Sequence, residues 1–419
     1  MAPIVFRGPS IFPGQPCAVA GRGGENGSIC DRPGSGGRRC LPCRHGMRAP
    51  PQNEIDRSVK LRNPGASKEG AGHRVSAEAS KSVSVVTGGS GFIGLSLVER
   101  LLQDREDVVI FDRSRPPAEA VAYLEGLPGK LTIVPGDVLD AARLGQCIDT
   151  FKPSCLVHGA AVTPNMQSER RDPALVLNVN VTGTVNVMEQ ARRRPGMQVI
   201  CISSSGVYGD VAQRRDVVGD TVSELLPPAP TSLYAISKAA AEQAALRYRE
   251  LFGMNIIVAR VGVAFGPWER DTGVRDPLSV HLMLARLARQ GARAILPRDL
   301  SKDWVYSRDV AAALAALKRA SLLSSTTFNI SGAAAWPASD FARRLASEFP
   351  SFEYRCRPTA EAPANIDLHG AKDRPVLDIS RLRDEAGFVP RYGLDEAFTD
   401  YVAWMRRFEH WKQNMMLSS

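Results

Sequence analysis

The sequence predicts an α/β protein: a doubly wound parallel sheet followed by a smaller C-terminal α/β domain. Three observations carry this. A β-branched run, Ser82-Val83-Ser84-Val85-Val86, ends in the glycine-rich turn Thr87-Gly88-Gly89-Ser90-Gly91-Phe92-Ile93-Gly94, and an apolar-periodic stretch follows it. Short apolar runs then alternate with helix-period stretches as far as Ala259. Of the 419 residues 44% are apolar and 23% charged, enough to bury a core, and no run of eighteen apolar residues suggests a membrane span.

The first unit is strand, turn and helix. Leu95, Val98, Leu101 and Leu102 fall at helical spacing after the turn. Gly88 permits a tight turn, Gly91 lets backbone approach a pyrophosphate, and Gly94 lets the helix pack close to the sheet; Phe92 and Ile93 begin that helix. Its unpaired N–H groups and positive dipole suit phosphates. The next strand, Val108-Val109-Ile110-Phe111, ends in Asp112, eighteen residues after Gly94, where an acid binds ribose hydroxyls. The bland alternative for Asp112 is a solvated turn acid. With the strand so placed, the reading is a dinucleotide site that favours NAD over NADP, although Arg113 could accommodate a 2′-phosphate.

The alternation continues. Leu131-Thr132-Ile133-Val134 leads to Gly136-Asp137-Val138 and a helix from about Asp140. Cys155-Leu156-Val157-His158 leads to Gly159-Ala160-Ala161. Asp172-Pro173 reads as N-cap and first helical residue of one long helix carrying Asn178, Asn180 and Gly183. Gln198–Ile202 runs into Ser203-Ser204-Ser205, a helix begins at Thr231 or Ser232 and runs through Arg249, and Asn255–Ala259 is a further strand. Strands alternating with helices imply the parallel sheet.

Tyr234-Ala235-Ile236-Ser237-Lys238 lies in the helical stretch, so Tyr234 and Lys238 share a face one turn apart. An ammonium beside a phenol favours the phenolate, which makes the phenol a usable general acid–base. With these residues in place, the chain resembles the extended short-chain dehydrogenase/reductases of the NAD-dependent epimerase/dehydratase family, with their Rossmann fold. The resemblance rests on Thr87–Gly94, Asp112, Gly136-Asp137-Val138, His158–Ala161, Asn180–Thr184, Ser203–Gly209, Tyr234–Lys238 and Arg260–Pro267, in that order, and runs from about residue 82 to the C-terminus.

The resemblance implies roles. Tyr234 is the catalytic acid–base, and Lys238 tunes it while holding the nicotinamide ribose. Ser204 orients the substrate if counted back from Tyr208; counting from the start of the serine run selects Ser205. Asp137 and Val138 contact adenine, while Ala160, Ala161 and Asn180 line or support the cofactor groove. For Asn180 the alternative is a buried asparagine that satisfies a helix kink. The implied chemistry is hydride transfer to NAD as Tyr234 takes a proton from the same carbinol. Hydride returned to the opposite face gives an epimerase; exchange of the cofactor gives a dehydrogenase.

Departures narrow the reaction. The family's sugar-nucleotide dehydratases carry an Asp-Glu pair after the catalytic hydroxyl, and its decarboxylases a Glu; here Ser204 is followed by Ser205-Gly206-Val207. Dehydration and decarboxylation are therefore disfavoured. The Asn that sugar-nucleotide epimerases carry before Gly-Pro is Val263, and the Arg of their Arg-Asp-Tyr/Phe pattern is Lys302, which keeps charge but loses the bidentate fork. Arg374-Pro375 resembles the later phosphate-binding Arg. Residues 268–276 read equally as a substrate loop or a solvated connection. The leading reading is an NAD-dependent epimerase of a sugar nucleotide. The alternative is a dehydrogenase of a sugar, polyol or sugar acid. A non-catalytic dinucleotide sensor would be expected to lose Tyr234 or Lys238, and both are present.

In the C-terminal part, Asp309 reads as the N-cap of an Ala/Leu-rich helix, and Thr326–Ile330 as a late strand returning to the sheet. Helices are expected near Ala338–Glu348, Ser380–Glu385 and Leu394–Arg407, with Tyr401, Trp404, Phe408 and Trp411 as packing residues. This gives a nucleotide-binding domain over 81–262 and a mainly substrate-binding domain over 263–419, with the strand near 326–331 belonging to the first. The stretches 173–194 and 231–251 are candidates for a homodimer bundle.

Residues 1–80 hold 13 of 36 Gly, 9 of 29 Pro and no Trp or Tyr, so they read as a disordered tail. Twelve Lys and Arg against six Asp and Glu place most of the net +9 charge there, which argues against nucleic-acid binding by the folded part. A zinc reading of Cys30, Cys40, Cys43 and His45 lacks the second paired knuckle, so no metal site is expected. Charged and Gly/Pro-rich residues interrupt every candidate signal core, while Glu25, Asp31, Glu54 and Asp56 count against a transit peptide. The preferred reading starts translation downstream, for example at Met47. Cys147, Cys155, Cys201 and Cys356 are scattered as buried small hydrophobes in a reducing compartment, which fits the cytoplasm.

Overall fold

The computed structural model describes residues 82–211, 221–273, 275, 278–368 and 373–408. The expected tail, its Cys/His cluster and Trp411 lie outside these residues. Seven parallel strands form the main sheet: β1 (Val83–Thr87), β2 (Asp107–Asp112), β3 (Leu131–Pro135), β4 (Cys155–His158), β5 (Gln198–Ser204), β7 (Ile256–Val261) and β11 (Thr327–Ile330). Their spatial order is β11-β7-β5-β4-β1-β2-β3. The order reverses between β1 and β4, so a crevice opens above their C-terminal ends. β7 and most of β1, β2, β4 and β5 are buried, which is why those runs are rich in Val and Ile instead of alternating.

Helices α1 (Phe92–Gln103), α2 (Ala118–Glu125) and α3 (Ala141–Phe151) join the first strands. The Asp140 carboxylate caps α3 by accepting from Arg143 N at 2.9 Å. Gly94 is dictated by crowding: a Cβ there would stand 2.2 Å from Gly88 O. Gly88 has φ +68°, and its Cβ would meet Ala160 N at 2.6 Å.

The single long helix expected after Asp172 is interrupted. After a short α4 (Met166–Arg171), α5 (Pro173–Leu177) is followed by a π turn at Asn178–Thr182 before α6 (Gly183–Arg192). Asp172 caps α5 and Pro173 is its first residue, as expected. The widened turn holds Asn180, whose side chain reaches out of the helix. A two-stranded pair joins β6 (Thr221–Val222) to β14 (Val376–Leu377), and α7 (Leu233–Phe252) starts at the Ser232 cap.

After β7 the chain builds a second set of elements. β8 (Val263–Phe265), β10 (Ser301–Tyr306) and β12 (Ala335–Pro337) make a three-stranded sheet, and β9 (Ala294–Leu296) pairs with β13 (Tyr354–Cys356). Helices α8 (Val280–Gln290), α9 (Ser307–Arg319), α10 (Ala338–Glu348), α11 (Ser380–Ala386) and α12 (Leu394–Arg407) pack around them. β11 returns to the main sheet beside β7.

Asp309 is not a helix cap. α9 begins at Ser307, and Asp309 sits in its first turn, buried, accepting from Arg391 N and Tyr392 N at 3.0 Å. The acid thus ties the helix start to the segment between α11 and α12. Tyr401, Trp404 and Phe408 pack as expected; the ring of Trp268 lies 5.6 Å from Trp404 and 4.9 Å from Phe408. Cys147, Cys155 and Cys201 are buried free thiols, and burial pushes them up to about 11, 12 and 12. Among the described residues no helix is long and apolar enough to cross a membrane, and no group of His, Cys, Asp or Glu could hold a metal ion.

Candidate active site

Two connected hollows occupy the crevice. One is a groove over the ends of β1, β2 and β4, and it gathers Gly88, Gly91, Asp112, Asp137, Val138, Ala160 and Ala161. The other is a cleft that brings Gly91, Phe92, Ile93 and Gly94 together with Ser204, Ser205, Tyr234 and Lys238. Of the expected cofactor residues only Asn180 lines neither. Its Oδ1 accepts from Val162 N at 2.8 Å, and its Nδ2 donates to Val162 O and Ser237 Oγ at 3.0 and 2.9 Å. Asn180 therefore supports the groove by tying the loop after β4 to α7.

Asp112 closes the end of β2. Its carboxylate accepts from Ser90 N at 3.1 Å and Ser114 N at 2.9 Å. Burial raises its pKa, against those two N–H groups and the charges of Arg270 and Arg113. Beneath the loop after β4, Thr184 donates to Asn180 O at 2.7 Å, so it accepts from His158 Nε2 at 3.0 Å. That leaves His158 Nδ1 to accept from the Thr87 hydroxyl at 2.8 Å, which fixes the neutral tautomer. Burial, reinforced by Lys238, pushes His158 down to about 3.

Tyr234 stands in the first turn of α7, where its N–H donates to Glu169 of α4 at 3.0 Å. Its phenol shares hydrogen bonds with Ser204 and Thr163. Ser204 is thus the hydroxyl beside the phenol, and its Oγ is steadied by Gly206 N at 3.1 Å. Ser205 faces both the cleft and a smaller inner pocket.

The electrostatics differ from what the helical spacing alone implies. Lys238 Nζ donates to Ile202 O at 2.5 Å. Burial lowers its pKa to about 8, opposed by Cys201 and Glu242. Burial raises the Tyr234 phenol; Ser204, Thr163 and then the charge of Arg275 oppose it. The expected lowering of Tyr234 by Lys238 is therefore not what this structure shows, because the ammonium is directed to a strand-end carbonyl.

A buried frame sits behind these groups. Glu242 and Arg260 form a two-contact ion pair with almost no exposure. Ser203 donates to Glu242 at 3.0 Å, and Arg260 donates to Tyr208 Oη at 3.0 Å. Tyr208 in turn donates to Asn329 on β11 at 2.7 Å. The frame links the residue before Ser204, the helix turn after Lys238 and the last strand of the sheet.

Of the segment 268–276, residues 268–273 and 275 are described, and its start is anchored in the interior while Asp271 and Gly273 are exposed. Trp268 is buried and donates its indole N–H to Glu99 of α1 at 2.7 Å. Glu269, also buried, accepts from Arg275 at 3.0 Å, Ser279 N at 2.9 Å and the Ser279 hydroxyl at 2.5 Å. Arg270, Thr272 and Arg275 face the cleft. The guanidinium of Arg275 lies 4.8 Å over the Phe92 ring, and its backbone bridges to Thr163. Thr163, Arg270 and Arg275 escape sequence reasoning as individual site residues, because a loop's path carries no periodic signal.

Lys302 and Arg374 do come together with Ser205 and Val263 around the inner pocket. Lys302 lies at its wall, outside the cleft, with Nζ donating to Leu368 O at 2.7 Å. Burial lowers Lys302 to about 8, helped by Arg374 and Arg298. Arg374 faces both spaces, so it connects the pocket to Tyr234's cleft. Among the described residues that line the cleft there is no Asp, Glu, His or Cys. Its described proton-handling groups are hydroxyls, the Tyr234 phenol and Lys238, with arginines at 270, 275 and 374.

A sequence profile described as the NAD dependent epimerase/dehydratase family matches residues 84–331. The chain is 24% identical over 358 residues to a dTDP-glucose 4,6-dehydratase of Escherichia coli, across 79% of this chain and 96% of that one. It is 29% identical over 326 residues to a UDP-glucose 4-epimerase of Mycolicibacterium smegmatis, across 77% and 98%. The solved structure of a Thermus thermophilus UDP-glucose 4-epimerase in complex with NAD is similar at a TM-score of 0.61 and 25% identity, across 77% of this chain and 99% of that one.

Proposed function

The chain belongs to the NAD dependent epimerase/dehydratase family, as an enzyme of the extended short-chain dehydrogenase/reductase type, and from that premise we propose that it is an NAD-dependent epimerase of a sugar nucleotide. The groove fits the cofactor: Gly88 packs against the Ala160 backbone and Gly94 against Gly88 O with no room for a Cβ, so the turn stays tight and leaves the start of α1 open to a diphosphate. Gly88, Gly91, Phe92, Ile93 and Gly94 would hold the diphosphate, Asp112 a ribose, Asp137 and Val138 the adenine, and Ala160 and Ala161 the groove wall. Bound NAD would accept hydride from the substrate carbon and return it.

In this reading Tyr234 Oη takes the proton of the substrate hydroxyl and later gives it back. Ser204 Oγ holds the same oxygen, and Lys238 holds the nicotinamide ribose. Ser205, Lys302 and Arg374 face the rest of the substrate. That no Asp or Glu is among the described residues lining the cleft is the observation that carries the choice of reaction. The family's dehydratases add an Asp-Glu pair for eliminating water, whereas epimerisation needs only one phenol to release and restore one proton.

The second reading is a dehydrogenase of a sugar, polyol or sugar acid. It is favoured by Val263 in place of an amide and by Lys302 being bonded to Leu368 O. Purified full-length protein with excess NAD and a panel of nucleotide sugars and free sugar acids separates the two. Conversion without accumulating NADH supports the epimerase; stoichiometric NADH supports the dehydrogenase. A panel left untouched by cofactor-loaded protein sinks the first reading.

The same proposal assigns dinucleotide binding mainly to 81–262 and substrate binding mainly to 263–419. It places the enzyme in the cytoplasm as a homodimer, with the helices of 173–194 and 231–251 at the interface. The exposed Ile236 and Leu251, on the same side of α7, support that face.

A further inference from the structure

We infer that Arg270 is a binding residue for the diphosphate of the dinucleotide, carried from the substrate-side segment to the glycine turn. The inference rests on the NAD reading above and adds a residue to it. Arg270 faces both hollows: it lines the groove with Gly88, Ser90, Gly91 and Asp112, and the cleft with Tyr234.

Its Nη2 donates to Ser90 O at 2.7 Å, while Ser90 N donates to Asp112 on the other side. One residue of the turn is thus held between a guanidinium and a carboxylate. Asp112 closes the ribose end, and Arg270 stands at the start of α1, where the Gly91 cap brings no side-chain acceptor. A diphosphate at that position meets helix N–H groups from one side and a planar fork of donors from the other.

The segment is built to keep Arg270 there. On one flank Trp268 adopts φ +69° and is locked by its bond to Glu99 and by the rings of Trp404 and Phe408. On the other flank buried Glu269 is pinned by Arg275 and Ser279. Little side-chain and loop freedom remains to be lost on binding, so the guanidinium is preorganised. Burial works against the charge of Arg270, and the negative charge of Asp112 opposes that effect. An incoming diphosphate supplies further negative charge to the same spot.

The test measures binding by calorimetry on the full chain, with NAD, ADP-ribose and adenosine as probes. Arg270→Gln is expected to weaken NAD and ADP-ribose by about tenfold or more while adenosine changes little, and Arg270→Lys is expected to lie between. In the wild type, rising salt should weaken ADP-ribose more steeply than adenosine. Undiminished ADP-ribose binding by Arg270→Gln, equal losses for ADP-ribose and adenosine, or equal salt slopes would each overturn the inference. If the wild type binds neither NAD nor ADP-ribose, the cofactor reading falls and this inference with it. If the wild type binds both and the variant binds them equally well, only the role of Arg270 falls.

Discussion

Ser204 and Tyr234 share a hydrogen bond across the floor of the cleft, joining the end of β5 to the first turn of α7. Under the proposed function the two oxygens address one substrate hydroxyl together. Tyr234→Phe should lower substrate conversion by about 10²–10⁴-fold while leaving NAD binding in place. Ser204→Ala should lower it more than Ser205→Ala, since Ser204 is the hydroxyl bonded to the phenol. Steady-state rates and cofactor titrations on the three variants check this, and a dominant loss at Ser205 would reassign the role.

Asn180 satisfies two backbone groups and one hydroxyl from a buried position. Asn180→Ala strands those partners. The expected loss is about 2–3 kcal/mol of stability, from several net hydrogen bonds of about 1 kcal/mol each. Urea unfolding measures it. A loss under about 0.5 kcal/mol would mean that the π turn is held by packing alone.

Removing one partner of the Glu242–Arg260 pair leaves a buried charge. Glu242→Leu or Arg260→Met alone should cost about 3–5 kcal/mol, and the double variant that combines the two less than their sum. Denaturant midpoints of the set give the coupling. Strict additivity would show that the two charges do not interact.

His281 gives a pH signature. It is fully buried between Phe265, 3.8 Å away and stacked, and Trp304, and neither ring nitrogen has a hydrogen-bond partner among the described residues. Burial, then Lys302, holds its pKa well below 6.5. Above pH 6.5 both folded and unfolded chains carry it neutral, so it adds no pH dependence. Below 6.5 the unfolded chain takes a proton that the folded one refuses, and stability falls by up to about 1.4 kcal/mol per unit. His281→Phe removes that slope. The variant's stability relative to wild type should rise from pH 7 to pH 5 and stay flat above 7. A constant difference across that range would show that the folded and unfolded chains take up that proton equally well.

What could be read from the sequence was local. The glycine turn, the strand end at Asp112 and the Tyr234–Lys238 spacing each follow from short-range geometry, and each appears where the residues put it. The π turn escaped because Asn180 acts through Val162 and Ser237, which are distant in sequence. Asp309 misled because a first-turn acid and an N-cap look alike until the helix start is known. Lys238 shares a face with Tyr234, but spacing says nothing of the Ile202 carbonyl that captures its ammonium. Thr163, Arg270 and Arg275 lie on loops, whose paths are set by anchors such as Trp268 on Glu99.

The return of β11 to the edge of β7 has a consequence for how the chain is made. On the ribosome, β7 is complete by Val261, yet its outer neighbour emerges only with Thr327–Ile330. Through that interval the nascent sheet carries an unpaired, mostly apolar strand edge, the kind that recruits other chains. Asn329 arrives with the same late strand and supplies the last acceptor for Tyr208. The nucleotide sheet is therefore finished only after β8, α8, β9, β10 and α9 have been synthesised, and a polypeptide stopped at residue 262 is left with that edge open.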